Sequence, residues 1–591
     1  MKSYTVADLF LESLALFVAL SAADGFARLT KRPQCVIVHV DVGTAALGQG
    51  LHNASSGRAP VLIFAGQAPL TLHGELPGSR SEHVQWYQDV PNQHAIVAPY
   101  ARYTAELKHA AHTRTIVRRA LAMSVATSPG PVYLTATREV LAAPADPAFF
   151  PDEPSSSSSS SSSLTTTAPQ PPPSSTLGAL PPHAVTTIAT ALLAADSPLV
   201  VTGYLGRSNG AVHALVALAS IVRGLRVFDA EFREMSFPAT HRAAIHRSTG
   251  AAAAIKGSDV ILLLDVDVPW IPTKVRPERR DGGGVRIFHV DCDPRKEKMG
   301  LFDVGADEES GGGGGTWAAD AGTALEQLCE WLRGPAGAGM LAERAAAFDR
   351  RWEELGRRHE EGCRLLAEKA RPAAASDGRL TPAALFAALR RALPQDTIWV
   401  SDVVTNQVAL SEQLALQVPG TNFTKGGSGL GWSGGAAVGI KIATELYDTA
   451  NERPCVNRRA GGRDGKGRFI CSITGDGSFI FGAPSAVYWA QHQHQTPFLT
   501  VIVNNGGWKA TRSCINDVHP DGLAAKTSDH GLGIDLRGNG PDYLGIAKSA
   551  AGGNLVTATV DKFDDLEAVI ATLRKDVEER RVGAVLEAVV V

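Results

Sequence analysis

The chain, 591 residues long, reads as α/β, with parallel sheets layered against helices. Three observations predict that class. Short apolar, β-branched runs alternate with amphipathic stretches along the whole chain. Polar and flexible tracts divide these runs into three blocks. One stretch, RFICSITGDGSFIFGAPSAVYWAQHQHQTPFLTVIVNN from Arg468, carries a complete strand–helix–strand unit. The expected architecture is three doubly wound parallel-sheet domains.

The first block spans 1–145. VALSAADGFARLTKRPQ, from Val18, reads as a core helix followed by a turn, and CVIVHV, PVLIFAG and GPVYLTA read as strands. Residues 146–180 hold the tract PDEPSSSSSSSSSLTTTAPQPPPSST, which lacks the apolar surface to order itself and reads as a linker. The central block, 181–335, contains the strand-like SPLVVTG, DVILLLDVD and VRIFHVDCD, and near its end the flexible DEESGGGGG. A connecting segment, 336–377, is a charged helix with one apolar stripe, and 378–591 forms the third block. Within the third block, NERPCVNRRAGGRDGKG looks like a loop elaboration. No short-period repeat is evident.

Composition narrows the function. Apolar residues make up 44% of the chain and the formal net charge is −3, so nothing points to nucleic acid. No apolar run reaches the 18 residues or so of a membrane span. SLALFVALSAA, Ser13 to Ala23, imitates the apolar part of a secretion signal. However, Asp8 and Glu12 stand where such a signal needs positive charge, and only Lys2 is basic. It reads as a buried helix. The 7 cysteines are dispersed without a CxxC pair, which fits reduced thiols and a cytoplasmic location.

The chemistry concentrates in the third block. If RFICSIT and FLTVIVNN are neighbouring parallel strands, Asp476 and Asn505 fall at their carboxyl ends, where α/β sheets bind ligands. A carboxylate, an amide oxygen and a backbone carbonyl, here that of Gly507, are hard donors suited to Mg²⁺. GDGS reads as a tight turn. Gly475 and Gly477 allow close approach of a phosphate, and Ser478 adds a hydroxyl and an N–H.

GDG followed after 26 residues by NN, with a strand at each end and a helix between, resembles the thiamine-diphosphate (ThDP) enzymes. The resemblance implies ThDP and Mg²⁺ as cofactors, with Asp476, Asn505 and Gly507 as metal ligands. KGGSGLGWSGGAAVGIKIA resembles the segment beneath the cofactor in relatives of acetolactate synthase and benzoylformate decarboxylase. It implies that Ser428 and Leu430 contact ThDP, Leu430 as the bulky prop of its bent form; plain core leucine is the other reading. SGGAA stands where family members often show GLPAA. SDVVTNQ sits where the family binds diphosphate, so Thr405 and Asn406 become candidates, against a simple helix cap.

The first block, from ADGFARL at Ala23 to Gly66, resembles the family's N-terminal domain. There a partner subunit holds the aminopyrimidine, which implies a homodimer or homotetramer. VIVHVDVGTAAL lines up with benzoylformate decarboxylase, which implies a proton-handling role for His39. WYQDVPNQ falls where acetolactate synthases carry a glutamine–acid pair, which nominates Gln88 and Asp89. The double histidine of pyruvate decarboxylases is absent, and His73, His83 and His94 read as loop histidines. Some relatives bind FAD or the ADP moiety of coenzyme A in the central domain; no residue pattern in the central block argues for either.

Relatives also place a glutamate eight residues before the aspartate of ADG, hydrogen-bonded to the aminopyrimidine. Here that position is Leu16, and Glu12 stands four residues too early. SYTVADLFLESL resembles the family's first helix, so a strand, a glycine turn and the glutamate segment are expected to be missing between the two. A truncated or mis-spliced product and an enzyme with another activation route are both compatible with this. Three functions remain open. One is an acetolactate-synthase-like carboligase or lyase acting on small 2-oxo acids. The second is a 2-oxo-acid decarboxylase of the benzoylformate type. The third is a non-catalytic or truncated paralogue. Carboligation products and free aldehyde separate the first two.

Overall fold

The computed structural model describes residues 16–126, 128–144, 178–278, 284–294, 314–372, 377–448, 453–454, 467–538 and 540–591. The Ser/Pro tract, Glu12 with the residues around it, most of DEESGGGGG and most of the 451–467 insert lie outside them. The chain divides into two compact units. The first takes the residues up to Thr176 together with Gly426–Ala443, and the second takes Leu177–Lys425 and Thr444–Val591.

The first unit is built on a four-stranded sheet of β1 (Gln34–Val38), β2 (Val61–Gln67), β3 (Tyr103–Leu107) and β4 (Val132–Thr137). All pairs are parallel, in the order β1-β2-β4-β3. The two-residue alternation of a strand sorts β2 between two cores. Val61, Ile63 and Ala65 join Val36, Val38 and Tyr133 on one side, while Leu62 packs with Val132 and Leu134 on the other.

The first side is covered by the helix Leu16–Thr30, which carries ADG and is buried from Val18 to Arg28. Against it lies the helix Trp432–Leu446. Their backbones approach so closely that a Cβ on Gly439 would stand 1.9 Å from the Ala22 carbonyl oxygen. One on Gly435 would reach the Ser21 Cβ at 2.8 Å, and one on Gly25 the Ala436 carbonyl at 2.7 Å. This explains SGGAAVG: the small residues are what the helix contact requires. Trp432, fully buried, donates its indole N–H to Asp24 Oδ2 at 3.0 Å, and the Arg28 guanidinium lies 5.4 Å from the indole centre. The ADG aspartate thus anchors a residue more than four hundred positions away.

The second unit carries two larger parallel sheets. The five-stranded one runs β6-β5-β7-β8-β9, from β5 (Pro198–Thr202), β6 (Arg226–Asp229), β7 (Val260–Leu264), β8 (Arg286–Asp291) and β9 (Gly315–Ala318). The other strands are β10 (Ile398–Asp402), β11 (Asn422–Thr424), the short antiparallel pair β12 (Tyr447–Asp448) and β13 (Arg453–Pro454), β14 (Ile470–Gly475), β15 (Leu499–Asn504), β16 (Leu555–Val560) and β17 (Gly583–Val589). Six of them form the sheet β11-β10-β14-β15-β17-β16. From β10 the chain moves outward to β11, then returns to the other side of β10 for β14. That reversal makes the β10/β14 border a topological switch point, where open α/β sheets form their binding crevice. No described helix is long and apolar enough to cross a membrane.

The glycine contact yields a stability test. Gly439→Ala should cost about 3 kcal/mol, because the added methyl meets a backbone oxygen that cannot swing away. Gly48 opens the helix Gly48–Ser56 with nothing within 4 Å of a built Cβ, so Gly48→Ala should stabilise by about 0.5 kcal/mol. Denaturant unfolding of both variants measures the opposite signs.

Candidate active site

Three strand ends meet at the switch point: β10 at Asp402, β14 at Gly475 and β15 at Asn504. GDGS is not the tight turn the local sequence suggests. Gly475 occupies the cap position, and Asp476 begins the short helix Asp476–Phe481. A carboxylate in the first turn is electrostatically favoured there. Asp476 is buried, and its Oδ1 accepts the Gly477 N–H at 2.8 Å. Its Oδ2 accepts the Gly506 and Gly507 N–H groups at 3.0 and 2.8 Å. Burial pushes this carboxyl above its usual range, and the three N–H bonds and Lys509 pull it back.

The NNGG turn is shaped by these bonds. Gly506 and Gly507 have φ of +82° and +133°, backbone that disfavours a side chain, and Arg537 crosses Gly506 to donate to the Asn505 carbonyl at 3.0 Å. Asn505 donates its amide to Thr405 Oγ1 at 3.2 Å, while its Oδ1 is buried with no hydrogen-bond partner among the described residues. Thr405 is exposed; Asn406 precedes the helix Gln407–Leu414 but makes no side-chain cap bond. Neither residue is therefore spent on capping. The Gly507 carbonyl accepts the Lys509 N–H at 2.8 Å.

Sequence reasoning passed over two residues here. Asp402, fully buried, pairs with Lys425 Nζ at 2.9 Å and accepts the Ser478 hydroxyl at 3.2 Å. Both stood inside the segments singled out, SDVVTNQ and KGGSG, but nothing local marks them as partners. Gly477 also has a different justification from the one expected. A Cβ there would lie 2.3 Å from the Trp508 indole, so the glycine makes room for a ring. Gly475 has nothing within 4 Å of its built Cβ and faces open space.

In the first unit, the glycine-rich run before Trp432 lies flat on the helix Gly48–Ser56. Asn53 Oδ1 accepts the Gly427 and Gly429 N–H groups at 3.2 and 3.0 Å, and its amide donates to the Gly429 carbonyl at 2.9 Å. Gln49 donates to the Leu430 carbonyl. Ser428 is exposed and Leu430 half-buried, so Leu430 does not belong to the closed core. At the carboxyl end of β1, His39 is exposed, and among the described residues its side chain bonds the Val40 carbonyl through Nδ1 at 3.4 Å. Asp41 follows with φ of 47°. It is buried, and its Oδ2 has no partner among the described residues. Burial raises its pKa, with Asp89 adding to the effect and the Val90 N–H and His39 opposing it. Gln88 ends the short helix Val84–Tyr87 and is half-buried; Asp89 pairs with Arg80. Asp41 thus feels the charges of both His39 and Asp89.

His94 departs from its reading as a loop residue. It opens the helix His94–Val97 and bonds Thr135 Oγ1 through Nε2 at 2.8 Å, and burial lowers its pKa. The local sequence, rich in Pro, Asn and Gln, hides a helix of only four residues. His83 precedes the Val84–Tyr87 helix, and His73 lies in irregular backbone.

Residues 16–96 match the description "thiamine pyrophosphate enzyme, N-terminal TPP binding domain". Residues 402–587 match "thiamine pyrophosphate enzyme, C-terminal TPP binding domain". The chain belongs to the ThDP-dependent enzyme superfamily. Among curated proteins it is similar to benzoylformate decarboxylase of Pseudomonas aeruginosa, 23% identical over 505 residues, covering 83% of this chain and 78% of that protein. Two solved structures share the fold. A ThDP-dependent 4-hydroxybenzoylformate decarboxylase of Rhodococcus jostii matches with a TM-score of 0.67 and 20% identity, over 98% of this chain and 91% of that one. Benzoylformate decarboxylase of Polynucleobacter necessarius matches with a TM-score of 0.69 and 17% identity, over 100% and 94%.

The donor set of this ThDP enzyme suits a hard divalent cation. Asn505 offers an unpartnered amide oxygen, and Asp476 retains lone-pair capacity beyond its three N–H bonds. The Gly507 carbonyl keeps a second lone pair. The open face at Gly475 leaves backbone accessible to an anion.

The Gly477–Trp508 contact can be tested apart from any ligand. Gly477→Ala should lower stability by about 1–3 kcal/mol. In a Trp508→Ala background the same change should cost far less, and a double-mutant cycle by denaturant unfolding measures the coupling.

Proposed function

We propose that the protein is a ThDP- and Mg²⁺-dependent decarboxylase of 2-oxo acids, of the benzoylformate class, that releases an aldehyde. The observation that carries the reading is His39: an exposed imidazole at the carboxyl end of β1, almost free of other bonds and so available to a substrate. The named activities of the similar proteins, benzoylformate and 4-hydroxybenzoylformate decarboxylases, support the substrate class. When bound, ThDP supplies the carbanion and electron-sink chemistry by which a 2-oxo acid loses carbon dioxide.

The chain's own residues divide the remaining work. Asp476, Asn505 Oδ1 and the Gly507 carbonyl hold Mg²⁺. Thr405, Asn406, Ser478 and the backbone at Gly475 and Gly477 take the diphosphate, with Ser478 set in place by Asp402. Ser428 and Leu430 contact the cofactor from the glycine-rich run, Leu430 with its half-buried apolar side chain. His39 exchanges a proton with the reacting 2-oxo acid, since imidazole is the side chain suited to proton traffic near neutrality. Gln88 orients the substrate. Leu16 packs against the first core and offers no carboxylate, so we assign no proton transfer to that position.

Acetolactate-type carboligation is the second reading, favoured by the half-buried Gln88 beside Asp89. Mass spectrometry of products from benzoylformate and pyruvate decides between them: free aldehyde supports decarboxylation, and 2-hydroxy ketones or acetolactate overturn it. Under decarboxylation, His39→Ala should lower kcat by about 10²–10⁴-fold with ThDP binding unchanged. The metal assignment has a readout without turnover. In calorimetry, Asp476→Ala and Asn505→Ala should each weaken Mg²⁺-dependent ThDP binding by ~100-fold or more. Asn505→Ala is the cleaner variant, because its Oδ1 supports no other group among the described residues. Unchanged affinity in it overturns the assignment.

A further inference from the structure

Far along the chain from these segments, the second unit gathers two histidines and a cysteine that the reaction does not use. His359 and Cys363 sit on the helix Ala345–Lys369, four residues apart and so on one face. His246 comes from the loop between β6 and the helix Ala251–Lys256. The Cys363 sulfur lies 3.4 Å from His359 Nε2 and 3.9 Å from His246 Nε2. One ligand atom from each of the three falls within 4.8 Å of the others.

We propose that His246, His359 and Cys363 form a zinc site that staples the long charged helix to the loop after β6. The distances match the chemistry. A tetrahedral zinc with bonds of about 2.3 Å to sulfur and about 2.0–2.1 Å to nitrogen sets S···N edges of roughly 3.5 Å. Imidazole and thiolate are the donors that zinc prefers over magnesium or calcium. The helix is also shaped to receive His246. Gly362 stands inside it, where glycine weakens a helix, and a Cβ there would come within 2.9 Å of the His246 ring. The glycine gives the imidazole its seat beside Cys363. The two rings lie with centres 5.3 Å apart.

The protonation states favour the site in part. Burial lowers the pKa of both imidazoles, with His359 adding to the effect on His246 and Arg242 to that on His359. Glu412 acts in the opposite sense on His246, and the Ala244 backbone and Glu360 do so on His359. Neutral rings have their lone pairs ready. The Cys363 thiol is pushed up by burial and by Glu360, against Arg390. Binding therefore releases its proton to solvent as the zinc–sulfur bond forms, and the metal's charge drives that step. Three protein ligands leave a fourth position for water, since Cys363 lies at the exposed edge of the cluster.

The test uses the full chain, stripped with chelator, reloaded with Zn²⁺ and dialysed against metal-free buffer. Elemental analysis should find about one zinc per chain. Loading with Co²⁺ instead should produce a near-ultraviolet thiolate-to-cobalt charge-transfer band. Cys363→Ser should abolish the band, and His359→Ala and His246→Gln should each lose the retained zinc. Asp476→Ala should keep both signals, separating this site from the proposed magnesium site. Circular dichroism confirms that each variant is folded. A folded wild type that retains no zinc, or a Cys363→Ser protein that retains as much as wild type, overturns the proposal.

Discussion

One buried carboxylate organises the ligand-facing end of the large sheet. Asp476 accepts three backbone N–H groups, one from its own helix turn and two from the glycines that follow β15. Those bonds fix the NNGG turn with its two glycines at positive φ. The turn in turn decides where Asn505 points: its amide toward Thr405, its oxygen toward no partner among the described residues. The cost is a carboxylate kept out of water, visible in its raised pKa. A bound cation would relieve that cost, which is why a structural anchor and a metal ligand can be the same residue.

A second constraint is steric. The Leu16–Thr30 and Trp432–Leu446 helices touch through glycines and alanines, and the Asp24–Trp432 bond fixes their register. The same economy recurs before Trp432, where Asn53 serves as donor and acceptor for a run of glycines lying on its helix. SGGAA fits this contact because it demands small side chains at particular turns of the helix.

The residues after β1 and at the end of the Val84–Tyr87 helix differ from this framework in being weakly held. His39 is exposed, Gln88 half-buried, and Asp41 between them carries an oxygen without a partner among the described residues. Low internal satisfaction is what a surface made to bind something polar looks like.

The sequence by itself determined the layers. Apolar runs such as DVILLLDVD, short and bounded by charged residues, read as buried strands, and GDG with NN one strand–helix–strand unit later places two oxygen donors at adjacent strand ends, because parallel strands share a direction. Those inferences are local, resting on periodicity within a segment and the fixed geometry of one crossover. Tertiary structure alone decided whatever depends on residues meeting from distant segments. Examples are the Asp402–Lys425 pair, the Trp508 ring that occupies the Cβ position of Gly477, and the grouping of Gly426–Ala443 with the first unit. The His246–His359–Cys363 cluster belongs with them, since no spacing rule links a loop to a helix more than a hundred residues on. Short helices such as His94–Val97 and Asp476–Phe481 were illegible for a related reason: too brief to show a period, they exist because their surroundings hold them.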